Sequence, residues 1–253
     1  MNIGTAKPSS EELKGVPHHF LDFLELDETM NAGAFEQRTL ELLEKLFQKH
    51  DQIIMTGGSG LYIDAVCYGL DEMPSTDPEV RAGLNRILEQ NGLEALLDEL
   101  KEKDPITFEK IEKKNPHRVM RALEVFRSTG RSITEQQKGE PAERRFNINI
   151  FGIEQDRELL YEQINARVDQ MMEDGLLEEV RSLLPYRTQN ALNTVGYKEL
   201  FDHLDGNSTL EEAVDLIKRN TRRYAKRQMT WWRKNEEIKW VGANDVEMIL
   251  RSL

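Results

Sequence analysis

The feature that most restricts this chain is a short signature beginning at residue 53. Ile53-Ile54-Met55 is an apolar run, Gly57-Gly58-Ser59-Gly60 is a glycine loop, and a helical pattern begins at Leu61. Strand, glycine loop and helix in that order form the unit of a parallel α/β sheet, with a possible anion site where the helix starts. Upstream, residues 34–49 place Phe35, Leu40, Leu43, Leu46 and Phe47 at helical spacing. The loop lacks the Lys-Ser/Thr ending of a Walker A sequence, so alone it does not establish nucleotide binding.

The rest of the chain divides by composition. Met73–Pro78 is rich in Pro, Ser and Thr and reads as a hinge. From Pro78 to Gly130 the pattern is helical and highly charged, with breaks at Gly92, Asp104-Pro105 and Asn115-Pro116, and a polar stretch, Lys138–Arg145, follows. Ile148–Ile153 reads as a strand, and Asp156 to Asn235 as mostly helix, broken at Pro185–Thr194 and at Asp205-Gly206-Asn207. This predicts an α/β core over 1–73 and 147–253, with a helical insertion over 74–146. No internal repeat or low-complexity tract interrupts the pattern.

Charge constrains the partners less simply. The chain has 253 residues and a formal net charge of −12, which at first argues against a polyanionic partner. Exposed charges are screened beyond about 8–10 Å, however, so the local distribution decides. Between Asp215 and Glu236 there is no acid, yet Lys218, Arg219, Arg222, Arg223, Lys226, Arg227, Arg233 and Lys234 occur there. On a helix these cluster on one half, with Ile217, Tyr224, Ala225, Trp231 and Trp232 on the other. A basic face of this kind suits a nucleic-acid backbone; the plainer alternative is a solvated face offset by acidic neighbours. The single Cys67 excludes an intrachain disulfide or cysteine zinc cluster and suits a reducing, cytoplasmic setting. No apolar run approaches the roughly 18 residues of a membrane span, and Met1–Pro8 lacks the pattern of a signal peptide.

Two further groups of residues carry possible chemistry. Leu160, Ile164, Val168 and Met171 form a helical stripe. Arg167 projects from the centre of that stripe, about 20° from Leu160 on a helical wheel. An inward guanidinium needs an anion, either a structural carboxylate or a bound phosphate or diphosphate. In Asn115-Pro116-His117-Arg118-Val119-Met120-Arg121, Asn115 is a natural N-cap and Pro116 a natural first helical residue. His117, Arg118 and Arg121 share one face opposite Val119, Leu123 and Phe126; this is either an ordinary amphipathic helix or a cation cluster awaiting an anion. His18 and His19 are adjacent and cannot share a helical face, which argues against a metal site there.

Taken in order, these segments resemble the tRNA dimethylallyltransferase (tRNA isopentenyltransferase) family. The resemblance is carried by IGTAKP at Ile3–Pro8, GGSGLY at Gly57–Tyr62, the P-S-x-x-P-x-x-R run from Pro74 to Arg81, and HRVMRALEVF at His117–Phe126. VGYKEL at Val195–Leu200 and AKRQMTWWR at Ala225–Arg233 complete it. It implies a P-loop-kinase-like parallel α/β core, of the ATP-binding type, with an inserted helical domain. The implied reaction moves a dimethylallyl group from dimethylallyl diphosphate to the exocyclic amine of the adenosine 3′ of the anticodon, with Mg²⁺. By position, Arg167 would hold the diphosphate, and Ser59 and Arg81 would meet the tRNA near the target base. His117, Arg118, Val119, Met120 and Arg121 would bind tRNA. So would Asn193, Thr194, Val195, Gly196, Tyr197 and Lys198, and Lys226, Arg227, Gln228, Met229, Thr230, Trp231, Trp232 and Arg233. The expected partner is the anticodon arm, met by a cytoplasmic monomer without a membrane contact.

Family members begin with a Gly-Lys-Thr or Gly-Lys-Ser loop, a strand and an Asp-Ser pair whose Asp is the expected general base. In this chain Met1 stands almost directly before IGTAKP. The expectation is therefore impaired catalysis by the chain as it stands, and exposed apolar surface beside the core. The alternatives are a tRNA-binding module without catalysis and a prenyltransferase acting on free adenine nucleotides; the long basic helix disfavours the latter.

Overall fold

Helix caps written in the sequence set most of the architecture of this computed structural model, which describes every residue except Ser10, Glu72, Ser75, Thr76, Lys138, Ser252 and Leu253. The middle of the P-S-x-x-P run and the start of the Lys138–Arg145 stretch therefore lie outside the described residues. Asn31 caps α1 (Ala32–Leu46) by accepting from the Ala34 N–H, and α2 (Gly60–Tyr68) follows the glycine loop. Asp77 caps α3 (Pro78–Lys103), whose first residue is Pro. Within α3, Gly92 takes φ 80°, a left-handed conformation that Gly adopts without a Cβ clash, so the helix bends at the break read from the sequence.

The chain separates into two compact units, Met1–Val66 with Phe146–Leu253, and Cys67–Arg145. The inserted unit consists of α3, α4 (Pro105–Lys110), α5 (Pro116–Thr129) and α6 (Ile133–Gln136). Its core joins Leu84, Leu96, Leu97 and Leu100 of α3 to Val119, Met120, Ala122 and Leu123 of α5. Its two connecting segments are tied to each other: the Ala142 N–H donates to the Tyr68 carbonyl at 2.6 Å, and the Gly139 N–H to Asp71. Tyr68 and Asp71 lie before the 74–146 boundary read from composition, which registered the Pro/Ser/Thr hinge and not these bonds.

The other unit is an α/β arrangement. β1 (Phe151–Glu154) pairs in parallel with β2 (Lys239–Gly242), with Gly152 opposite Trp240. A Cβ on Gly152 would stand 2.7 Å from the Trp240 ring, so the glycine permits the close approach. Between the strands run α7 (Arg157–Glu173), α8 (Leu176–Ser182), α9 (Tyr197–Leu204) and α10 (Leu210–Trp232); α11 (Val246–Leu250) ends the order. Val168, Leu176, Val180, Leu192, Tyr197, Leu200, Phe201, Ala213 and Ile217 form the core, with Met1 and Ile3 packed against it.

Two strand expectations change. The strand read as Ile148–Ile153 forms at Phe151–Glu154, where β2 supplies ladder partners. Ile53–Met55 is not a strand: among the described residues the sheet has two strands, and an apolar run without a ladder neighbour gains no β structure. Ile54 is 85% exposed and Ile153 62%. Among the described residues no helix is long and apolar enough to cross a membrane.

Candidate functional site

The glycine loop and the C-terminal half of α10 are built against each other. A Cβ on Gly58 would fall 1.9 Å from the Gln228 amide nitrogen, and one on Gly60 would fall 2.4 Å from Trp231 Nε1. The loop is glycine-rich because α10 occupies the space that side chains would need. Trp231 Nε1 donates to Asp64 Oδ2 at 2.8 Å, tying α10 to the second turn of α2. Burial raises the Asp64 carboxyl above its ordinary range, and the Trp231 bond offsets only part of that. Ser59 sits exposed between the two glycines, its carbonyl accepting from the Tyr62 and Ile63 N–H groups. Ser59 and the Lys226–Arg233 segment, far apart in sequence, thus share one surface.

On that surface Lys226, Arg227, Thr230 and Arg233 are exposed, while Gln228, Met229 and Trp232 are half-buried. Arg227 lies 5.6 Å from the Tyr224 ring centroid. The apolar half of α10 departs from the wheel: Ile217 is buried, but Tyr224 is 43% and Trp231 38% exposed. Buried positions in α10 stop at Ile217, so farther on its aromatic residues meet solvent and the glycine loop. The basic face is partly offset, as the plainer alternative held. Lys218 pairs with Asp169 at 2.6 Å, Arg233 with Glu154 at 3.2 Å, and Arg222 donates to Asn165 Oδ1. Arg219, Arg223, Lys226 and Arg227 have no acidic partner among the described residues.

Arg167 is exposed rather than inward. The stripe on α7 includes Met172 and centres on Ile164 and Val168, which leaves Arg167 at its margin; a wheel anchored on Leu160 misplaced it. Its guanidinium has no protein partner among the described residues.

In the segment Asn193–Lys198, Asn193, Thr194 and Lys198 are exposed, Val195 is half-buried, and Gly196 and Tyr197 are buried. Tyr197 is fully enclosed because its ring packs beneath Gly4, where a Cβ would lie 2.5 Å away, and its hydroxyl donates to Glu179. Its role is to hold IGTAKP, and the surface reading of Tyr197 is corrected accordingly. Glu179 also accepts from the Asn2, Ile3 and Gly4 N–H groups at 2.7, 3.0 and 3.2 Å. Burial would raise the Glu179 carboxyl, but the Tyr197 and backbone bonds outweigh it and hold the group below its ordinary range. Tyr197 is pushed the other way, upward, by burial and by its bond to Glu179.

In the inserted unit, Asn115 Oδ1 accepts from the Arg118 N–H and fixes the start of α5. His117 and Arg118 are exposed, and Arg121 is half-buried. Val119 and Met120 are 0% and 3% exposed core residues, so their side chains do not form a binding surface. Arg81 Nη1 lies 3.0 Å from Glu124 Oε1, and Arg121 Nη1 lies 3.5 Å from Glu124 Oε2. Sequence reasoning missed Glu124, Glu179 and Asp64. The only available signal for Glu124 was an acid inside the apolar run Ala122–Val125.

Comparison with known proteins places this geometry. The family model described as IPP transferase matches residues 1–235, and the chain belongs to that family. It is 48% identical over 249 residues to a tRNA dimethylallyltransferase of Cytophaga hutchinsonii, covering 98% of this chain and 82% of that one. It is 46% identical over 253 residues to tRNA dimethylallyltransferase 1 of Bacteroides thetaiotaomicron, again covering 82% of that protein. Among solved structures, the full-length tRNA isopentenylpyrophosphate transferase of Bacillus halodurans superposes with a TM-score of 0.68 at 36% identity, covering 99% of this chain and 81% of that one. A eukaryotic dimethylallyltransferase described as acting on tRNA gives a TM-score of 0.78 at 25% identity, over 97% of this chain and 64% of that one.

Proposed function

We propose that this protein is a tRNA-modifying prenyltransferase that binds the anticodon arm across the surface shared by Ser59 and the end of α10. It transfers a dimethylallyl group from dimethylallyl diphosphate to the exocyclic amine of the adenosine 3′ of the anticodon. The nitrogen forms a bond to the allylic carbon as the carbon–oxygen bond to diphosphate breaks, and the amine loses one proton. The observation that carries this reading is the packing of Gln228 and Trp231 onto the GGSG loop. It sets an exposed hydroxyl beside exposed cations and a half-open indole, the mixture a splayed, unstacked base and its phosphates require.

The roles of individual residues follow their exposure. Lys226, Arg227 and Arg233 meet phosphates, as do His117, Arg118, Arg121 and Arg81 in the inserted unit, while Asn193, Thr194 and Lys198 add a further polar edge. Arg167, without a protein partner among the described residues, is suited to clamp the diphosphate and stabilise the charge that grows on it as the bond breaks. Among the described residues no group of three His, Cys, Asp or Glu is placed to hold a metal ion. Mg²⁺ is usually held by phosphate oxygens, water and one or two carboxylates, so the ion is proposed as one that the diphosphate carries in. No step above runs through it. The proposed setting is the cytoplasm, with the protein acting as a monomer.

The test is incubation of the full-length protein with an anticodon stem-loop and labelled dimethylallyl diphosphate. Label should appear on the RNA at that adenosine. Absence of label, or label on free adenine nucleotides instead, would defeat the reading.

A further inference from the structure

We infer that Asp64 is a positioning residue for RNA binding, holding the Trp231 indole in one pose so that an unpaired base of the anticodon loop stacks on its outer face. The inference deepens the proposed function and rests on its reading that the end of α10 meets the tRNA. Its basis is the way the ring is seated. A Cβ on Gly60 would stand 2.4, 2.5 and 2.7 Å from Nε1, Cδ1 and Cε2 of Trp231. Three atoms of the five-membered ring at nearly one distance put that point over the ring face. A point beyond the Nε1 edge would be markedly farther from the two carbons than from the nitrogen. Gly60 therefore supports the inner face and sets the plane of the ring. Rotation within that plane is set by one bond, from Nε1 to Asp64 Oδ2 at 2.8 Å. Trp has only two side-chain torsions, so these contacts leave little entropy to lose when a base stacks on it.

The surface around the ring suits a single strand. Trp231 is 38% exposed although its inner face and its N–H edge are covered, so the exposure falls to the outer face and the six-membered edge. Tyr224, Arg227 and Trp231 stand at positions i, i+3 and i+7, on one face of α10. Tyr224 is exposed as well, and the exposed Arg227 guanidinium lies 5.6 Å from its ring. Seven residues advance about 10.5 Å along a helix, so the two rings are set apart with a cation between them. Alternating aromatic and cationic groups match unpaired nucleotides, bases on the rings and phosphates on the cation. A duplex keeps its base faces stacked inside and has none to offer such a platform. Asp64 serves this one indole: among the described residues its carboxylate has no other hydrogen-bond partner, and burial raises it even so. A hydrogen bond exchanged with water contributes little as a tether. What it adds here is a fixed orientation.

The experiment uses the full chain and an anticodon stem-loop carrying 2-aminopurine, a fluorescent base quenched by stacking, at each loop position in turn. Affinity and bound-state emission are read well below each variant's unfolding midpoint. In the parent, binding should quench one loop position. Trp231→Ala should abolish that quenching and weaken affinity by about fivefold or more. Asp64→Ala should relieve the quenching in part and weaken affinity by about three- to tenfold. Asp64→Asn keeps an acceptor in the same place and should restore both; its failure to do so would overturn the inference. Trp231→Phe keeps a ring and removes the N–H. It should lose as much as Asp64→Ala, and adding Asp64→Ala to it should cost nothing more. A further loss there would mean general damage to the seat of α10 and would also overturn the inference. So would parental affinity and quenching in Asp64→Ala, although stacking on Trp231 would stand. Parental behaviour of Trp231→Ala would remove the stacking and the inference with it, leaving the functional reading to the transfer assay. A parent chain that binds no stem-loop would defeat both.

Discussion

The Tyr197 hydroxyl donates to Glu179 Oε1 at 2.5 Å while the same ring lies directly beneath Gly4. One side chain thus fixes the N-terminal IGTAKP turn through both its edge and its face. Replacing Tyr197 by Phe keeps the face and removes the bond. The expected cost is about 1–2 kcal/mol, since Glu179 retains its three backbone donors. Urea unfolding measures it, and an unchanged midpoint would show that the hydroxyl contributes nothing.

Glu179 should also make the fold acid-sensitive. Its carboxyl is held below the ordinary value of 4.5 in the folded protein. A depressed folded pKa gives stability that is present above the unfolded value and lost as pH falls through the folded one. The unfolding temperature should therefore fall on acidification below about pH 4.5, and more steeply in the parent than in Glu179→Gln. Parallel pH profiles for the two proteins would remove Glu179 as the cause.

Gly60→Ala tests the seat of α10. The added methyl meets the Trp231 indole at 2.4 Å, and overpacking of this type costs about 1–3 kcal/mol. Trp231→Ala in the same chain removes the obstacle, so the two substitutions should be strongly non-additive in thermal unfolding. Simple additivity would mean that the indole does not limit residue 60.

The α10 cations with no acidic partner among the described residues should govern RNA affinity. Replacing Arg223, Lys226 and Arg227 by Ala should weaken stem-loop binding and flatten its dependence on salt, by about 0.7–0.9 in log–log slope for each phosphate left without its cation. Arg222 is excluded because it bonds Asn165. An unchanged slope would place the RNA elsewhere.

How far the sequence discloses this structure depends on whether the signal is local. Caps at Asn31, Asp77 and Asn115, and the bend at Gly92, are set by residues one to three positions away. The insertion and the family were legible from ordered motifs. A strand is not a local object, and Ile53–Met55 has β composition but no ladder partner. Burial misled at Tyr197, Val119 and Met120, since a motif records that residues recur together, whether they bind or support. Arg167 failed for geometric reasons, because one more apolar residue, Met172, moved the centre of its stripe. Glu179 meets the N-terminal turn and Tyr197, and Glu124 meets Arg81, across separations that no spacing announces.

The bond from the Ala142 N–H to the Tyr68 carbonyl has an evolutionary consequence. It brings the entry and exit of the inserted unit together, and Gly69 makes room for Ala142 there, the two positions being 2.6 Å apart once a Cβ is added at residue 69. A segment whose ends already meet can be lengthened, shortened or exchanged without altering the span that its host must bridge. The insertion is therefore a cassette: its helices are free to diversify while the unit that hosts it keeps its own spacing.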